Sequence, residues 1–103
     1  MQKQKIERVK TKHGLEVYFL TDKRFTTTSL QFAFKIGWRS DSKKYRGLAH
    51  LFEHLVGKRT NKFPGKSQFA TKLEESGIIN NAWTGPDMTI YWQNQPKKTF
   101  IKV

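Results

Sequence analysis

The chain has no cysteine in its 103 residues, which excludes disulfides and any thiolate metal site. A metal ion bound here would have to take imidazole and carboxylate ligands. Acidic side chains are scarce: eight Asp and Glu stand against twenty Lys and Arg, for a formal net charge of +12. No apolar run approaches the roughly 18 residues that span a bilayer, and the opening MQKQKIERVK lacks the apolar segment of a signal peptide. These absences lead to the expectation of a cytoplasmic chain without a membrane span. Internal repeats and low-complexity tracts are also missing, so no repeat architecture is expected.

What is present suits one small domain. Hydrophobic residues make up 36% and aromatics 14%, enough for a lean core. The basic residues come as scattered pairs, Lys23-Arg24, Lys43-Lys44, Lys58-Arg59 and Lys97-Lys98. Neither an aromatic-and-glycine RNA-binding pattern nor a helix-turn-helix spacing accompanies them. The charge is therefore read as a solvated surface, and no nucleic-acid partner is expected.

One stretch organises the rest. Leu48 to Gly57 reads LAHLFEHLVG. Wound as an α-helix, it puts His50, Glu53, His54 and Gly57 at i, i+3, i+4 and i+7, on one side. Leu48, Leu51, Phe52, Leu55 and Val56 form a wide apolar stripe that calls for burial. Two imidazoles one turn apart bind a single zinc ion through nitrogens at about 2.0–2.1 Å. Glu53, between them in sequence, is suited to hold a water beside the metal and take its proton. The order H-x-x-E-H is the inverzincin signature. Three fixed residues also fit a plainer account, a helix with two incidental histidines and a surface glutamate.

The remainder divides into short elements. Residues 6–11 and Leu15 to Leu20 read as strands around a turn at His13-Gly14, with Thr21-Asp22-Lys23 as the next turn. His13, in a hairpin turn, is read as incidental. Thr28 to Ile36 alternates cleanly, Leu30, Phe32, Phe34 and Ile36 against Ser29, Gln31, Ala33 and Lys35. Gly37 to Arg46 carries no period and is expected to be a loop. Ser67 is placed as the N-cap of a second helix, with Phe69, Ala70 and Leu73 on its apolar face and Gly77 as its stop. Ile78 to Thr84 and Met88 to Gln93 read as strands joined through Gly85-Pro86-Asp87. Pro96 stands where a third helix could begin, with Phe100 and Val103 on its apolar face. Three strands, two helices and two strands predict an α+β fold, an antiparallel or mixed sheet with helices packed on one face.

These residues resemble the pitrilysin, insulin-degrading enzyme and mitochondrial-processing-peptidase family. Gly47-Leu48-Ala49-His50-Leu51-Phe52-Glu53-His54-Leu55 resembles the family's zinc signature. His13-Gly14-Leu15-Glu16-Val17 stands where the family has Asn-Gly-Leu-x-Val, and Ile36 to Asp41 loosely resembles its Val-Gly-Ser-Arg-x-Glu loop. Gly77 to Thr84 resembles the Gly-x-x-x-Asn-Ala-x-Thr strand, and Thr89-Ile90-Tyr91 its partner. The resemblance implies that His50 and His54 are ligands of Zn2+ and that Glu53 is the general base. It also implies that Asn81 and Ala82 lie on a strand to which a substrate peptide adds as a further strand, with Trp83 shaping a subsite. The family's third ligand, a glutamate, would fall beyond Val103, and no carboxylate among Glu7, Glu16, Asp22, Asp41, Glu74, Glu75 and Asp87 is an evident substitute.

On this resemblance, residues 1–103 are expected to be the N-terminal portion of one zinc-peptidase domain, an incomplete domain whose remainder and homologous second half, in the same chain or a partner subunit, lie elsewhere. The expected function is metalloendopeptidase action on peptides, in processing or degradation, with the 103 residues inactive alone. The alternative is a non-catalytic peptidase-like subunit that binds peptides or a partner through a sheet edge. Uncovered apolar surface would make this chain prone to self-association.

Overall fold

The computed structural model describes residues 3–98. Two antiparallel sheets and two helices follow in the order β1 (Ile6–Lys10), β2 (Glu16–Leu20), β3 (Thr27–Phe34), α1 (Leu48–Leu55), α2 (Gln68–Glu75), β4 (Ile79–Thr84) and β5 (Thr89–Pro96). Every strand pair is antiparallel, which resolves the open choice between an antiparallel and a mixed sheet. β1 and β2 form a hairpin whose turn uses Gly14 at φ +87°, a left-handed conformation natural to glycine. The larger sheet has the order β3-β5-β4, so β4 has one edge unpaired among the described residues.

Alternation assigns the two faces of this sheet. Phe32 pairs with Tyr91 and Phe34 with Thr89, while Ala82 pairs with Tyr91 and Thr84 with Thr89. These residues share the face toward α1, and Phe32, Phe34, Thr89 and Tyr91 line, with Phe52, an apolar cavity of about 970 Å³. The opposite face carries Ser29, Gln31, Trp83, Ile90, Trp92 and Asn94 around a hollow of about 310 Å³. The core proper is small: Leu73 and Ile78 are its buried hydrophobic members. The apolar stripe of α1 is not buried as its pattern calls for, since no α1 residue is buried and Phe52 remains 63% exposed. The large apolar residues of the β1–β2 hairpin other than Val17 are likewise exposed.

Several boundaries differ from the sequence expectation, each for a local reason. α1 stops at Leu55 because Val56 turns extended and Gly57 takes φ +79°, so Gly57 lies outside the helix. The unpatterned segment from Gly37 contains two 3-10 turns, Trp38–Ser40 and Lys43–Tyr45. Ser67 does occupy the N-cap position of α2, but at φ +63° and without a side-chain capping bond. The side-chain bond near this end is made by Gln68, whose Oε1 accepts the Gly65 N–H ahead of the helix at 2.9 Å. Gly77, at φ +73°, follows the end of α2 as expected. Pro96 does not open a helix; it closes β5 opposite Thr27, beyond the last β4 pair at Asn94, so its missing N–H removes no bond to β4. Phe100 and Val103 lie outside the described residues.

The contact that fixes the large sheet against the segment leading to α1 is made of backbone. Trp38 N–H donates to Gly85 O at 3.0 Å and Arg39 N–H to Pro86 O at 2.9 Å. Arg39 Nε reaches Asp87 Oδ1 at 2.9 Å, and Thr89 Oγ1 donates to Ile36 O at 2.8 Å. Gly37 permits this approach, because a Cβ there would stand 2.2 Å from Gly85 O. Gly37→Ala should therefore cost about 1–3 kcal/mol, the range for overpacking a filled site. The urea midpoint of the variant measures it, and an unchanged midpoint would show that the close approach is not needed.

Candidate metal site

An eight-residue helix is too short to be stable on its own in water, so α1 depends on contacts made at its ends and along its inner side. Its N-cap, Gly47, has no side chain to cap with and sits at φ +86°. The cap comes instead from Asp41: Oδ2 accepts the Gly47 N–H at 2.9 Å and Oδ1 accepts the Ala49 N–H at 3.1 Å. A carboxylate at this end satisfies free amides and complements the helix dipole. Sequence reasoning gave Asp41 no role. The nearest signal was its position in the loop that resembles a family motif.

At the other contact, Thr84 Oγ1 on β4 donates to Glu53 Oε2 at 2.5 Å. That bond turns one side of α1 toward β4, and the same side carries His50 and His54. Their Nε2 atoms lie 2.9 Å apart, with ring centroids at 4.5 Å and an interplanar angle of 54°. One ligand atom from each of His50, Glu53 and His54 lies within 4.8 Å of the others. Among the described residues this is the only such grouping of three.

The donor set fits zinc. Two nitrogens each about 2.05 Å from a tetrahedral ion stand roughly 3.3 Å apart, so the pair needs to open by only a few tenths of an ångström. Both imidazoles are exposed and Glu53 is half-buried. Tyr91, on the sheet face beneath, has its phenol pushed above the usual value of 10.0, first by burial and then by the Glu53 carboxylate. His13 lies in the β1–β2 turn and takes no part in the group.

The residues singled out on β4 lie beside this site rather than in it. Asn81 is exposed, and its Oδ1 accepts the Ala82 N–H at 2.8 Å. Ala82 is half-buried on the face toward α1, whereas Trp83 is 49% exposed on the opposite face. All three belong to the strand whose outer edge has no partner among the described residues.

Residues 16–103 match the family described as insulinase, peptidase family M16. The chain is 32% identical over 92 residues to an insulin-degrading enzyme homolog of Dictyostelium discoideum, covering 89% of this chain and 10% of that protein. It is 31% identical over 83 residues to an uncharacterized zinc protease of Rickettsia felis, covering 81% of this chain and 20% of that protein. A crystal structure of a protease from Helicobacter pylori superposes with a TM-score of 0.82 at 29% identity, over 91% of this chain and 22% of that one. The chain thus spans about a tenth to a fifth of the length of these relatives. No helix among the described residues is long and apolar enough to cross a membrane.

The capping geometry gives a direct expectation. Asp41→Ala should destabilise the fold by about 1 kcal/mol, as loss of a helix cap does, and should lower amide protection selectively at the first turn of α1. Hydrogen exchange read residue by residue measures both, and uniform protection across α1 in the variant would contradict the assignment.

Proposed function

Because this chain belongs to the insulinase family of zinc-type peptidases, M16, we propose that α1 is the catalytic helix of a metalloendopeptidase. The convergence of His50 Nε2 and His54 Nε2 beside a carboxylate held from β4 is the observation that supports this reading most. In it, His50 and His54 hold Zn2+ and Glu53 is the general base. Zinc held there supplies Lewis acidity toward the scissile carbonyl and lowers the pKa of the attacking water. Glu53 takes that water's proton and delivers it to the leaving amine. Thr84 occupies one oxygen of Glu53, and among the described residues no hydrogen bond engages the other. That second oxygen is the one free to act.

The substrate in this reading is a peptide in extended form, in processing or degradation. It adds to the outer edge of β4, gripped by backbone groups at Asn81 and Ala82, while Trp83 shapes a subsite on the sheet face opposite α1. Catalytic zinc ordinarily has three protein ligands, so a further carboxylate is assigned to residues outside these 103, and the 103 alone are inactive. They form the N-terminal portion of one peptidase domain. The exposed apolar sides of α1 and of the β1–β2 hairpin fit a surface covered by the rest of that domain and by a homologous second domain or subunit.

Glu53→Gln in the full-length protein separates metal binding from catalysis. It should retain zinc at the wild-type stoichiometry and reduce peptide hydrolysis by at least about 10²-fold, the scale of a general acid–base contribution. Undiminished turnover would remove Glu53 from the mechanism. A wild-type protein that binds peptide along β4 without hydrolysing it would favour a non-catalytic, peptide-holding subunit instead.

A further inference from the structure

We propose that Thr84 is a positioning residue for Glu53, its hydroxyl fixing which carboxylate oxygen is presented to the attacking water; this rests on the reading of Glu53 as the base. A glutamate on an exposed helix side has three side-chain torsions and populates many rotamers. Here one oxygen, Oε2, accepts the Thr84 hydroxyl at 2.5 Å, within the short range of hydrogen bonds to a charged acceptor. The bond spans 31 residues of sequence, so it ties the side chain to the sheet rather than to its own helix.

The donor is itself held rigidly. Threonine is β-branched and stiff at χ1. Thr84 pairs directly with Thr89 on β5, and Thr89 is 4% exposed, with its own hydroxyl on Ile36 O at 2.8 Å. The next residue, Gly85, accepts the Trp38 N–H at 3.0 Å, and the Trp38 turn leads to the Asp41 cap on α1. Thr84 therefore stands where the sheet, the loop and the helix are cross-linked most closely. With Oε2 engaged, Oε1 has no protein donor among the described residues, and the carboxylate sits in the group whose ligand atoms lie within 4.8 Å of one another with His50 and His54. A half-buried carboxylate held by one oxygen retains a defined direction for the other, the precision a proton-transfer group requires.

The test compares Thr84→Val, which keeps the branched shape and removes the hydroxyl, with Thr84→Ser, which keeps the hydroxyl. In the full-length zinc-loaded protein, Thr84→Val should lower kcat for a peptide substrate about 10- to 100-fold, as loss of a supporting contact typically does. KM, zinc content and melting temperature should stay close to wild type, and Thr84→Ser should recover most of the rate. In the 103-residue chain, with no turnover involved, the 13C resonance of the Glu53 side-chain carboxyl should move in Thr84→Val and return in Thr84→Ser. Wild-type kcat in Thr84→Val, while Glu53→Gln is inactive, would overturn the proposal and leave the peptidase reading intact. Equal loss in Val and Ser variants with a falling melting temperature would overturn it as a structural effect. Full activity in Glu53→Gln would overturn the peptidase reading and this proposal with it.

Discussion

A helix of two turns cannot hold two imidazoles and a carboxylate in register unless the surroundings hold the helix. α1 is therefore only as well placed as the two contacts that seat it. Asp41 accepts the amides of Gly47 and Ala49 at its N-terminus, and Thr84 accepts responsibility for the other contact by donating to Glu53 from β4. Both contacts return to one joint, where Trp38 and Arg39 amides donate to Gly85 and Pro86 carbonyls over a glycine that has no room for a Cβ. The joint links the loop before α1 to the turn between β4 and β5, so the helix and the sheet edge are tied to one another.

That economy explains an otherwise odd distribution of burial. The buried residues are few, and they include Thr89 and Gln95 beside Leu73 and Ile78. Hydrogen bonds between main-chain and side-chain groups, more than a large apolar core, fix the site's relative geometry. The apolar side of α1 and the face formed by Phe32, Phe34 and Tyr91 leave a cavity of about 970 Å³ between them. The chain spans about a tenth of the length of its Dictyostelium relative, and in the proposed reading this exposed apolar surface is where further chain packs.

How much of this was legible in the sequence follows from range. His50, Glu53 and His54 were legible because helical period brings them together within five residues. β3 was legible because Leu30, Phe32 and Phe34 alternate with polar neighbours, and the structure puts that face toward α1. Gly77 announced the end of α2 by its left-handed preference. What escaped depends on residues far apart or on competition between equivalent signals. Asp41 caps a helix that begins seven residues later, across a turn whose shape no local pattern encodes. Ser67 has the right identity for a cap, yet at φ +63° its side chain makes no capping bond. Pro96 suits a helix start as well as a strand end, and pairing with Thr27 decides for the strand. Thr84 could be ranked only once β4 was known to lie under Glu53.

The claim on which the account turns is that His50 and His54 form one metal-binding pair on α1. The most direct measurement is a zinc titration of the 103-residue chain followed by the NMR signals of its three histidine rings. The account predicts that the His50 and His54 rings shift together with one zinc per chain, and that His13 stays in place. It also predicts that His50→Ala abolishes the shift of His54. Equal shifts of all three rings, or zinc binding that survives His50→Ala unchanged, would contradict it.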